Sequence, residues 1–109
     1  MVVTHAMNAP ILMEVAQMRE AASLGAFIEF AGSTLRSADA PARIDHYAAA
    51  IRQIGPASCI LSSDLGQQGN PLPPDGFGEF IAAMRARGFT GQDLDAMSKR
   101  NPAQLLGLP

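Results

Sequence analysis

Three short apolar runs set the terms for this chain: "VVTHAM" at its start, "AFIEFAG" at 26–32 and "CILSSD" at 59–64. Each is β-branched or aromatic-rich, and each ends where a polar residue, Gly or Pro breaks the pattern, as buried strands do. The segments between them carry a different period. From Ile11, apolar residues recur at Leu12, Val15, Met18 and Ala22, after an Asn8-Ala9-Pro10 helix-start signal and before a stop at Gly25. After Pro41 the helical spacing resumes through Ile44, Tyr47, Ala48, Ile51 and Ile54, and Gly55-Pro56 closes it. Phe77, Phe80, Ile81 and Met84 mark a third helix, closed by Gly88. Thr90 opens a last helical segment with Asp93 in a capping-box position, and Asn101-Pro102 begins a final turn ending at Gly107.

The order strand, helix, strand, helix, strand, helix, helix predicts an α/β fold of three consecutive parallel βα units with an extra C-terminal helix. No boundary divides residues 1–109, so the chain reads as one domain. A composition that is 48% hydrophobic and 17% charged is that of a packed protein.

Polarity gathers on one rim of this arrangement. The strand-to-helix loops hold His5, Asn8, Ser33, Arg36, Asp64, Gln67 and Asn70, whereas the helix-to-strand turns "SLG" and "IGPAS" are short and bland. In parallel α/β proteins the loops after the carboxyl ends of the strands carry the site. The segment "STLRSADAP" reads as a polar loop on that rim.

Charge narrows the partners. A net charge of −2 with no concentrated basic footprint argues against nucleic acid or an anionic membrane as the main partner. No apolar run is long enough to span a bilayer, no signal-peptide pattern opens the chain, and the lone Cys59 cannot form an internal disulfide. The expected compartment is the cytoplasm.

Three residues deserve separate weighing. His5 closes the first run, where an imidazole suits a metal ligand or general base, although a histidine hydrogen-bonded near a terminus is the more common case. Alternation puts it on one face with Val3. Asp64 closes the third run on the side of Ile60 and Ser62; it is either a cap for the loop backbone or a site carboxylate, and the long glycine-bearing loop after it favours the second. Glu29 interrupts "AFIEF", where a buried charge needs a cation, a metal or water. Ile28 and Phe30 suit the helix-facing side, which leaves Phe27 and Glu29 on the other. His46 falls on the polar side of its helix, and Ser62-Ser63 lack the glycine-flanked elbow of a nucleophilic serine.

Taken together, "VVTHAM", "GAFIEFAGS", "ILSSDLGQQGNPLPPDGF" and the closing "MSKRNPAQLLGL" resemble the carboxyl-terminal part of a metal-dependent hydrolase of the amidohydrolase superfamily, closest to its phosphotriesterase-like branch. The resemblance implies that the three strands correspond to the last three of a TIM (β/α)8 barrel. It also implies that His5 ligates metal or contacts substrate, and that Asp64 binds the metal and takes a proton from the attacking water. Glu29 and Gln67 fall on the substrate side. The implied cofactor is a divalent metal, zinc being the usual one, and the implied reaction is hydrolysis of an ester, amide, lactone or phosphoester bond.

The family's first-strand His-x-His, its fourth-strand Lys or Glu and its fifth-strand histidine have no counterpart among these residues. A catalytic zinc generally takes three protein ligands, and a whole barrel needs on the order of 250 residues. The expectation is therefore an incomplete barrel, not expected to be an effective catalyst by itself, with Val3, Phe27 and Ile60 on an open inner face, that is marginal alone, associates with itself or needs a missing upstream portion. The competing expectation is a small non-catalytic α/β module that binds a ligand or protein and oligomerises.

Overall fold

A computed structural model describes residues 1–4, 7, 13–64 and 73–108. Its sheet has three strands, β1 (Val2–Val3), β2 (Phe27–Ala31) and β3 (Cys59–Ser62), paired in parallel in the order β1-β2-β3. Helices α1 (Val15–Ser23) and α2 (Ala40–Ile54) make the crossovers, and α3 (Pro73–Ala86) follows β3. The mixed α/β class and the parallel alternation expected from the sequence are both present.

The faces follow from register. Ile28 pairs with Cys59 and Phe30 with Leu61, and these four side chains share one buried cluster with Met18 of α1, Ile44, Tyr47 and Ile51 of α2, and Phe80 and Met84 of α3. All three helices therefore pack on the same face of the sheet. Sequential strand order requires this: successive right-handed crossovers that never reverse direction deliver every helix to one side. Phe30 and Tyr47 meet edge-on at 5.1 Å, and Tyr47 meets Phe80 at 6.4 Å, so β2, α2 and α3 are joined through one aromatic row.

Two expectations about the opposite face need correction. β1 ends at Val3, and Val3 pairs with Ile28, so it joins the helix-side core while Val2 aligns with Phe27. A uniformly β-branched start leaves the phase of alternation open, and pairing with β2 decides it. Ile60 is only 6% exposed and so is not open to solvent. Phe27 and Glu29 are half-buried on the face away from the helix core, as their alternation with Ile28 and Phe30 predicts.

The segment expected to be a polar loop is instead a 3-10 turn, Gly32–Arg36, that buries Gly32 and Thr34. A Cβ at Gly32 would sit 3.0 Å from Phe80 Cδ2, so glycine is what lets α3 close over the end of β2. Gly55, with φ +100, makes the turn between α2 and a short 3-10 segment that leads into β3.

Past α3, the helical run comprises α4 (Gly91–Asp95), one π turn (Ala96–Arg100) and α5 (Asn101–Leu105). The capping box at its start forms as expected: Asp93 N–H donates to Thr90 Oγ1, and Thr90 N–H donates to Asp93 Oδ2. The π turn has a local cause. Pro102 has no N–H to return to the preceding turn, and the backbone widens so that Asn101 N–H donates to Ala96 O. That turn directs the Asn101 amide inward, where it donates to Pro56 O at 2.8 Å and Cys59 O at 2.7 Å. Among the described residues, no helix is long and apolar enough to cross a membrane.

Candidate functional site

The rim at the carboxyl ends of β2 and β3 is built by the ladder itself. The last pair is Ala31 with Ser62. Two residues beyond each partner stand Ser33 and Asp64, and there the Ser33 hydroxyl donates to Asp64 Oδ2 at 3.5 Å. This contact is longer than the usual ~2.7–2.8 Å of an O–H···O bond.

Asp64 is exposed and takes φ 48, the left-handed region that aspartate tolerates better than most residues. This changes one expectation. The alternation that would place Asp64 beside Ile60 and Ser62 lapses at Ser62, where β3 ends, and the backbone turn at Asp64 aims its carboxylate instead. Its position on the rim stands.

Glu29 lies deeper. It pairs with Ile60, two rungs below the last pair of the ladder, Ala31 with Ser62. It stands below the rim, half-buried, on the side of the sheet opposite the helix core. His5 and Gln67 lie outside the described residues, as do Asn8 and Asn70.

Other rim groups are engaged. Arg36, at the end of the 3-10 turn, pairs with Glu79 of α3 at 2.6 Å and ties the β2 loop to that helix. Thr34 is 3% exposed and its hydroxyl has no partner in the structure. His46 is exposed on α2, away from the core, as its sequence position suggests. Cys59 is excluded as a nucleophile: burial pushes its thiol up to about 12, and its Sγ–H points to Gly55 O at 3.4 Å.

Sequence reasoning put Ser33 on the rim without a role. The signal for one is positional, since Ser33 and Asp64 stand equally far past the last rung of a shared ladder. Among the described residues, no three His, Cys, Asp or Glu side chains gather to hold an ion. The rim carries the exposed Asp64 carboxylate, a hard oxygen donor of the kind a divalent cation takes, with the Ser33 hydroxyl 3.5 Å away. No family model matches this chain, and no curated protein and no solved structure matches it either.

Proposed function

We propose that this chain is the carboxyl-terminal part of a metal-dependent hydrolase of the amidohydrolase type, acting on an ester, amide, lactone or phosphoester bond of a small molecule. The observation that carries the reading is the singly wound sheet: strands in the order β1-β2-β3, three helices on one face, and an exposed carboxylate where β3 ends. Sequential order with one-sided helices is the geometry of consecutive units in a β/α barrel, whereas an open doubly wound sheet reverses direction and carries helices on both faces.

In this reading His5 and Asp64 would hold a divalent ion, zinc by the chemistry of a mixed histidine and carboxylate set. When bound, that ion lowers the pKa of water toward neutrality. Asp64 would be the acceptor of the proton released by the attacking water. Gln67, three residues after Asp64 in the sequence, and Glu29, half-buried in β2, are the substrate-side candidates. The remaining ligands and walls come from an upstream portion of the barrel, and the outer edges of β1 and β3 are where such a portion, or a second copy, would pair.

The test compares this chain with a version extended upstream, by metal analysis and by hydrolysis of a panel of ester, lactone, amide and phosphoester substrates. The expected result is bound zinc and turnover in the extended form. Asp64→Asn, which keeps the shape and tolerates the left-handed backbone, then lowers kcat by about 10²–10⁴-fold, the usual worth of a positioned proton acceptor. Unchanged metal content and rate in both His5→Ala and Asp64→Asn would refute the assignment in favour of a non-catalytic ligand- or protein-binding module.

A further inference from the structure

Backbone hydrogen bonds fix which way each rung of the sheet faces. Phe27 N–H donates to Met1 O, so Phe27 turns its backbone groups toward β1, and alternation turns those of Ile28 and Phe30 toward β3. In a parallel pair only one residue of each aligned couple bonds across the ladder. Cys59 and Leu61, aligned with Ile28 and Phe30, therefore turn their N–H and C=O outward, away from β2. An open row of such groups is a template for another chain, and natural sheets blunt it by covering the edge with a helix or loop.

At the first outward rung of β3 the closure is complete. Cys59 N–H donates to Pro56 O, and the Asn101 amide donates both to that oxygen at 2.8 Å and to Cys59 O at 2.7 Å. Neither backbone group of Cys59 is left for a neighbouring strand. The next outward rung, Leu61, is only 3% exposed, because the π turn lies against β3 and its Met97 is buried in one cluster with Cys59 and Leu61. The opposite edge differs: Val2, the outward rung of β1, stays partly exposed.

From this geometry we infer that the helical run after α3 guards the outer edge of β3, with the Asn101 side chain as its latch, and keeps a second copy of this chain from adding a strand there. An upstream portion that closed a barrel at β3 would have to displace the same contact first. The guard needs neither metal nor substrate, because only backbone groups and one amide take part, so it stands or falls separately from the hydrolase reading. The loss of one buried hydrogen bond is worth about 10-fold in an opening equilibrium.

The test is amide hydrogen exchange by NMR on the 109-residue chain, read at Cys59 facing outward, Ile60 facing β2 and Ile51 in α2, with sedimentation velocity over a range of concentrations. In the parent, Cys59 is expected to exchange within about 10-fold of Ile60, and a larger excess overturns the guard. Asn101→Ala removes both donors, and Asn101→Asp keeps the shape while presenting only acceptors to Pro56 O and Cys59 O. In each variant Cys59 exchange is expected to accelerate about 10-fold more than that of Ile60 or Ile51, and self-association to strengthen by about 10-fold. Gly32→Ala is the control, a strained core with the latch intact, expected to show neither effect. Equal acceleration at all three amides in the Asn101 variants, or self-association as strong in Gly32→Ala, overturns the guard. If neither Asn101 variant folds, the comparison of Cys59 with Ile60 in the parent decides it.

Discussion

Replacing Asn101 by Ala should destabilise the fold by far more than a polar truncation at the surface. The side chain is 6% exposed, and its two N–H groups donate to Pro56 O and Cys59 O at 2.8 and 2.7 Å. Losing a donor costs about 0.5–1.5 kcal/mol where the acceptor keeps another partner, and about 1–3 kcal/mol where a buried acceptor is orphaned. Pro56 O belongs to the first case, because it also accepts from Cys59 N–H. Treating Cys59 O as the second gives roughly 1.5–4.5 kcal/mol in total. Alanine is the better helix former by about 0.5 kcal/mol, which leaves a net loss of about 2.5 kcal/mol. A domain of this size has ~5–15 kcal/mol to lose, and its midpoint falls ~4–8 °C per kcal/mol, so the melting temperature should drop by roughly 10–20 °C. The measurement is thermal and urea unfolding by circular dichroism at fixed protein concentration, beside the exposed-site control Gln104→Ala, expected within about 0.5 kcal/mol of the parent. A loss below 0.5 kcal/mol in Asn101→Ala would refute the idea that this amide fastens the C-terminal helix to β3.

Two further outcomes follow from packing and titration. Gly32→Ala drives a Cβ to 3.0 Å from Phe80 Cδ2 and 3.2 Å from its Cβ and Cγ; because a ring and its stem cannot both move aside, the cost should be about 1–3 kcal/mol in urea unfolding, and a loss under 0.5 kcal/mol would show that α3 shifts freely. Cys59 should resist a thiol reagent such as a disulfide chromophore at pH 8 until the chain is unfolded, because burial holds its thiol near 12 rather than the ordinary 9.0. The sign of the linked stability follows: the folded state keeps the proton, so the contribution of Cys59 is fully present below pH 9 and falls by about 1.4 kcal/mol per pH unit as pH rises from 9 toward 12. A Cys59→Ala variant should lose that alkaline slope, and an identical slope in both proteins would count against a buried neutral thiol.

The features that were legible in the sequence are those whose cause is local. Period-two alternation in "AFIEF" assigned Ile28 and Phe30 to the helices, and the spacing from Thr90 to Asp93 gave the capping box, because both depend only on neighbouring residues. What was misread depends on distant partners. "STLRSADAP" looks like a loop by composition, yet Phe80 lies across Gly32 and converts its first part into a buried turn. The face of Val3 was fixed by its pairing with Ile28, since "VVT" carries no phase of its own. Pro102 marks a restart in the sequence, whereas the backbone passes through it by widening into a π turn that aims Asn101 at β3.

The candidate site follows the same division. Asp64 could be singled out from sequence because a carboxylate ending an apolar run is a local anomaly. Ser33 could not be matched to it, because counting two residues past a strand end means nothing until both strand ends and their register are known. Once Ala31 is opposite Ser62, the pairing of Ser33 with Asp64 is a consequence of equal overhang. The same ladder sets Glu29 apart from that overhang: it stands two rungs below the last pair, half-buried in β2.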